Sequence, residues 1–212
     1  MIRPPNDEIS LALTGASGMQ YGLRLIECLL QANRTIHLML SKPARVVLGM
    51  ETDVKLPARS SEARRVLIGR FGGDEAQLRI YGENEWTAPV ASGSGAPHRM
   101  VVCPCTMASV AAFAAGASRS LIERAADVVL KERRQLILVP RETPMSLIHL
   151  RNLTALAEAG ATVLPANPGF YNRPTRVEEI IDFVVARVLE QLDLEQTLSL
   201  RWGRADRSDE GH

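Results

Sequence analysis

The sequence predicts an α/β fold in three layers, with helices over both faces of a mostly parallel sheet. Short apolar runs alternate with longer stretches in which apolar residues recur at helical spacing. Segments rich in Gly, Ser or Pro sit where those runs stop, as strand-to-helix loops do. The chain is also large enough: 212 residues, 46% of them hydrophobic, can bury one substantial core.

ISLALT at 9–14 reads as a strand and TGASG as a tight loop, and Leu23, Ile26, Leu29 and Leu30 mark a helix over 19–32. TIHLML at 35–40 is a second strand, and ARVVLGM at 44–50 a helix entered after Pro43, which completes a βαβ unit. From Leu56 to Pro97 the pattern loosens: SSEARRVLIGRF suggests a helix, QLRIYG a short strand and EWTAPVASGSGAP a mobile loop. RMVVC at 99–103 returns to the sheet, and TMASVAAFAAGA supplies a small-sided, buried helix. SRSLIERAADVVLKERR at 118–134 is a charged amphipathic helix, followed by the strand QLILVP at 135–140.

TPMSLIHLRNLTALAEAG predicts a helix with Thr143 as its cap, Pro144 at its first position and Gly160 at its end. ATVLPA is a further strand and NPGFYNRP a turn-rich loop, and Thr175 with Glu178 resembles a capping box before a helix at 176–191. One domain is expected over 8–195, with extensions at 1–7 and 196–212, the second holding Trp202. Flavodoxin-like and Rossmann-like strand orders both satisfy this alternation.

Lys plus Arg number 25 against 24 for Asp plus Glu, so the chain lacks the basic excess expected of a nucleic-acid partner. No cationic leader opens it and no window of 18 uncharged apolar residues occurs, which predicts no membrane insertion and a cytoplasmic location. Cys28, Cys103 and Cys105 make a poor metal set: a structural zinc site takes four ligands, and His37, His98, His149 and His212 show no ligand spacing. The pair in CPCTMAS is also not the CxxC of redox sites. Small side chains packed around a ligand, with no metal, are the expectation there. His149 is expected to be a packed or hydrogen-bonded helix residue.

Ligands of open parallel sheets bind outside the carboxyl ends of the strands. That edge collects Gly15, Ala16, Ser17 and Gly18, then Ser41, Thr106, Met107 and Ser109, then Arg141 and Glu142, and the loop around Tyr171. Gly15 and Gly18 permit a close turn, and Ser17 with the following amides could hold a phosphate. A dinucleotide site would show GxGxxG and an acid at the end of the second strand. Ser41 and Lys42 stand there instead, which favours a mononucleotide or another phosphate ligand.

Ser41 is either a phosphate donor or a strand terminator. Arg124 and Lys131, seven positions apart, either share a functional flank or form a solvated face. Arg141 can grip an anion in a fork geometry, with Glu142 as its ion-pair partner or as an acid/base group. Arg187 either snorkels at a buried edge or meets an anion, Tyr171 is either a ligand contact or a turn anchor, and Trp86 anchors the core or walls a cleft.

Together TGASG, Ser41, CPCTMAS, VPRETP and NPGFYNRP resemble the flavin prenyltransferases of the UbiX family, over nearly all of residues 8–195. The resemblance implies a flavin-binding domain and metal-independent transfer of a dimethylallyl group from dimethylallyl monophosphate to reduced FMN, with bonds at flavin N5 and C6. The prenylated FMN would serve a UbiD-type decarboxylase, a possible transient partner, as in ubiquinone biosynthesis. It implies FMN contacts from Gly15, Ala16, Ser17, Ser41, Thr106, Met107, Ser109 and Arg141. Lys131, Tyr171 and Arg187 would hold the substrate phosphate, with Arg124 arriving from a neighbouring subunit. Glu142 would handle a proton, Glu51 and Ser17 would support the flavin and phosphate region, and Trp86 would offer an aromatic wall to the prenyl group. Relatives in this family form homododecamers. A flavin-dependent decarboxylase of a cysteine-derived substrate and a non-catalytic FMN carrier are the competing readings.

Overall fold

The computed structural model describes residues 7–199, and the expected extension around Trp202 lies outside them. The chain divides into two compact units between Ala166 and Asn167. The first is built on a six-stranded sheet: β1 (Glu8–Leu13), β2 (Thr35–Leu40), β3 (Leu78–Tyr81), β4 (Arg99–Cys105), β5 (Gln135–Pro140) and β6 (Thr162–Val163), in the order β3-β2-β1-β4-β5-β6. Every pairing is parallel. This is the Rossmann order, so the direction of winding reverses between β1 and β4. Right-handed crossovers therefore put the helices before and after that point on opposite faces.

On one face α1 (Met19–Gln31) packs over β2 and β4 and against α2 (Lys42–Glu51) and α3 (Ser60–Phe71). Its buried stripe, Met19, Leu23, Ile26 and Leu30, meets the sheet at helical spacing. The other face carries α4 (Met107–Ala114), α5 (Leu121–Lys131) and α6 (Leu147–Glu158). There Ala12, Met39, Val102 and Leu138 from alternate strand positions pack against Phe113, Ile122 and Leu153. Burial on both faces explains why these strands read as continuous apolar runs.

Several local expectations change. Ser146, not Thr143, caps α6: its hydroxyl accepts from the His149 amide at 3.2 Å, and His149 Nδ1 accepts from the Ser146 amide at 3.3 Å. Thr143–Pro144 is a cis peptide ahead of the helix, so Pro144 is not its first residue. Gly160 does follow α6, with φ of +100° just beyond the C-cap Ala159. ATVLPA supplies only the two residues of β6, which pair with Ile137 and Leu138.

The Gly- and Ser-rich stretch after Trp86, read from the sequence as a mobile loop, is tied to the residues that follow α5. A 3₁₀ turn at Pro89–Ala91 buries Val90, and Arg134 donates to the carbonyls of Gly93 and Ala96 at 2.7 and 2.8 Å.

The second unit contains α7 (Val177–Gln191), whose apolar side includes the buried Val184, Val188 and Leu189. Arg176 is its N-cap and makes no side-chain cap. The expected box partner Glu178 is replaced by Glu179, whose carboxylate accepts from the Thr175 amide at 2.8 Å. Among the described residues no helix is long and apolar enough to cross a membrane.

Candidate functional site

The winding reversal brings the loops after β1 and β4 side by side, and Thr14 joins them. Its hydroxyl donates to the Pro104 carbonyl at 2.9 Å and accepts from the Thr106 amide at 2.8 Å. Thr14 is almost fully buried, so both bonds form where water does not compete. The sequence reading did not single it out; a threonine closing the apolar run ISLAL was the available signal.

Thr106 then caps α4: its hydroxyl accepts from the Ser109 amide at 3.1 Å and lies 2.9 Å from Ser109 Oγ. Met107, the first residue of α4, has its side chain in the core, so its backbone amide is what it offers a ligand. Ser41 caps α2 by accepting from the Ala44 amide at 3.1 Å, and it also closes β2, its own amide reaching the Leu13 carbonyl. A serine or threonine hydroxyl that accepts one bond keeps a proton to donate. Ser41 and one member of the Thr106–Ser109 hydroxyl pair, whose other proton lies between them, thus present donors along one edge, beside the positive end of α4.

The first loop behaves differently from the expectation. Gly15 passes α2 so closely that a Cβ there would fall 2.4 Å from Pro43 Cβ, and Gly18 adopts φ of +102° as it turns into α1. Ala16 is buried and its amide bonds the Thr14 carbonyl at 2.9 Å. The amides of Gly18 and Met19, expected to face a phosphate, donate to Glu51 Oε2 at 2.8 and 3.0 Å. The protein's own carboxylate, from the last residue of α2, fills that anion site.

Burial pushes the Glu51 carboxyl up, but hydrogen bonds from the Ser17 hydroxyl and the Met19 and Gly18 amides, with the Arg141 charge, hold it below its ordinary range. Its grip on α1 is therefore complete near neutral pH and is lost as pH falls through that lowered value.

Arg141 follows β5 and spans the reversal point. Its amide donates to the Cys105 carbonyl at 3.4 Å, and its Nε reaches the Ser17 carbonyl at 3.2 Å. Glu142 comes next, half-buried, with Oε1 accepting from the Thr143 amide at 3.3 Å. Ser17, Glu51 and Arg141 thus form one connected group.

The remaining candidates lie elsewhere. Trp86 is 47% exposed and anchors no core. Arg124 donates to the Ala91 carbonyl at 3.1 Å and pairs with Asp127 at 3.0 Å. Lys131 pairs with Glu132 at 2.6 Å at the end of α5, just before β5 begins, which puts it at the amino edge of the sheet, opposite Arg141. In the second unit Tyr171 is half-exposed and meets Phe183 edge-on with ring centroids 5.6 Å apart, and Arg187 forms an ion pair with Glu190.

Cys103 and Cys105 are fully buried free thiols in β4, joined to its end through a cis Cys103–Pro104 bond. Burial pushes the Cys103 thiol up to about 12 and that of Cys105 higher still, so neither is a thiolate at neutral pH. Among the described residues no His, Cys, Asp or Glu cluster could hold a metal ion. The native protein should leave its thiols unmodified by an aromatic disulfide reagent at pH 8, and all three should titrate after denaturation. Rapid labelling of Cys103 or Cys105 in the folded protein would contradict the shape-filling role.

A Rossmann-order sheet with hydroxyls, a helix start and an arginine at its switch point, and no ribose-holding acid after β2, defines a nucleotide-binding α/β protein of the mononucleotide kind. Comparison with known proteins is more specific. The family model described as Flavoprotein matches residues 3–189. The chain is 53% identical over 197 residues to flavin prenyltransferase UbiX of Pseudomonas aeruginosa, covering 93% of this chain and 94% of that protein. It is 44% identical over 193 residues to flavin prenyltransferase UbiX of Synechocystis, covering 91% and 94%.

Among solved structures it matches AnUbiX (PadA1) in complex with FMN and dimethylallyl pyrophosphate, with a TM-score of 0.83 and 38% identity over 94% of this chain and 98% of that one. A dodecameric FMN-dependent UbiX-like decarboxylase from Escherichia coli O157:H7 matches with a TM-score of 0.81 and 38% identity over 92% and 98%. The chain belongs to the flavoprotein family and, within it, to the UbiX flavin prenyltransferases.

Proposed function

We propose that the chain transfers a dimethylallyl group from dimethylallyl monophosphate to reduced FMN, with bonds at flavin N5 and C6 and release of phosphate. The switch-point group of Ser41, Thr106, Ser109 and Arg141 supports this reading most directly, because its hydroxyls, helix-start amides and guanidinium are what a mononucleotide phosphate requires. FMN, held by these residues with Gly15, Ala16, Ser17 and Met107, supplies two nucleophilic ring positions.

Lys131, Tyr171 and Arg187 hold the substrate phosphate, and Arg124 joins them from a neighbouring copy. Cations and a phenol there stabilise the charge that develops as the allylic C–O bond breaks. Lys131 stands at the amino edge of its own sheet, so it too serves the site of another copy in a homo-oligomer, a dodecamer as in the E. coli structure. Exposed Trp86 gives the electron-poor prenyl fragment a π-face with no basic atom to strip a proton from it. Bonding at C6 would use the prenyl double bond, which takes up one proton as the C6 proton is released, and Glu142 relays that proton. The prenylated FMN passes to a UbiD-type decarboxylase.

Anaerobic incubation with reduced FMN and dimethylallyl monophosphate should yield inorganic phosphate and a five-carbon mass gain on the flavin. An unchanged flavin mass under confirmed reduction would sink the proposal. Arg187→Ala and Lys131→Ala should each raise KM for the monophosphate by about tenfold or more while FMN affinity holds, the loss expected for a charge-assisted bond.

A further inference from the structure

The second unit contains a hydrogen-bonded chain that the proposed reaction does not use. Gln196 Nε2 donates to Glu190 Oε1 at 3.1 Å, and Glu190 is also the ion-pair partner of Arg187 one helical turn earlier. The same Gln196 side chain closes a turn with Ser199, donating to its carbonyl and accepting from its amide, each at 3.1 Å. Ser199 Oγ in turn accepts from Asn172 Nδ2 at 3.2 Å, and Asn172 is the neighbour of Tyr171 in the GFYN loop. One short turn therefore touches the partner of Arg187 at one end and the loop of Tyr171 at the other.

An open pocket of about 170 Å³ lies where Gly169, Pro174, Phe183 and Leu198 meet, and the polar ties run along its rim through Asn172 and Ser199 beside the edge-on contact of Tyr171 with Phe183. Phe170 is 66% exposed and Tyr171 half-exposed, and an exposed loop opens less readily the more hydrogen bonds tie it. A guanidinium on an exposed helix face likewise samples many rotamers unless a carboxylate holds it.

We propose that Glu190 and the Gln196–Ser199 turn are positioning elements for the substrate phosphate, holding Arg187 and the Tyr171 loop in a preset arrangement before substrate arrives. This rests on the reading above, in which Arg187 and Tyr171 hold that phosphate. The link works through orientation, so it bears on recognition of the monophosphate and leaves flavin binding and the chemical step alone.

The test uses the full-length protein with Gln196→Ala, Glu190→Gln, Ser199→Ala and Ser199→Thr, the last keeping the hydroxyl. Losing one or two hydrogen bonds should raise KM for dimethylallyl monophosphate roughly three- to tenfold in the first three, with kcat within about twofold. FMN affinity, read from flavin fluorescence, should be unchanged, and Ser199→Thr should behave as wild type. Unchanged KM in Gln196→Ala and Glu190→Gln, with an active wild type, would overturn the inference. So would a parallel loss of kcat, FMN affinity and thermal stability, which marks a merely structural role.

Amide exchange over residues 169–174 supplies a readout independent of turnover. It should quicken in Gln196→Ala and Ser199→Ala, and unaltered exchange would overturn the inference. A wild type that forms no prenylated flavin would instead sink the prenyl-transfer reading, leaving the exchange comparison to decide on the turn.

Discussion

Replacing Glu142 by Gln is expected to lower turnover by about 10²- to 10⁴-fold, the usual worth of a positioned acid/base group. The amide keeps the shape and can still accept from the Thr143 amide, so the loop after β5 should hold its course. FMN affinity should stay near that of the wild type, because the groups proposed to hold FMN lie on the loops after β1, β2 and β4 and on Arg141. The measurement is single-turnover prenylation of reduced FMN together with a flavin titration. Loss of flavin binding in step with turnover would mean that Glu142 holds the cofactor rather than a proton. Turnover within a few-fold of wild type would remove it from the proton path.

The largest effect on stability is expected at Thr14, in the variant Thr14→Val. The shape is nearly conserved, but the Thr106 amide loses its acceptor while the Pro104 carbonyl keeps only the Thr14 amide. Stranding a polar group in a buried site costs about 1–3 kcal/mol. That loss should appear as a lower denaturant midpoint with an unchanged slope. Because Thr106 is also the cap of α4, FMN should bind more weakly than stability alone explains, and saturating FMN should recover only part of the lost stability. Wild-type stability in this variant would show that the two switch-point loops are held by the sheet alone.

Much of this architecture is visible in the residues themselves. Strands buried on both faces leave unbroken runs such as LILV, and α5 shows its buried side at helical spacing, so element type and order follow from local pattern. Boundaries are less legible. The choice between Thr143 and Ser146 as the α6 cap depended on a side-chain exchange with His149 that spacing does not reveal. Thr175 paired its amide with Glu179 rather than Glu178, a shift of one residue that no propensity distinguishes.

Ser41, Thr106 and Arg141 could be placed at the carboxyl edge of the sheet because strand ends can be counted. The contacts of Glu51 with Gly18 and Met19 join residues more than thirty positions apart, and only the folded chain brings them together. The placement of Lys131 at the far edge of the sheet likewise follows from helix direction, which its spacing from Arg124 could not disclose.

The carboxylate at the start of α1 has a consequence for which nucleotides the fold admits. In a sheet of this order a pyrophosphate bridge ordinarily rests on the amides that open α1. Here Glu51 already takes the Gly18 and Met19 amides and presents negative charge in their place. A second phosphate brought to that position would have to displace the Glu51 carboxylate to reach the two amides.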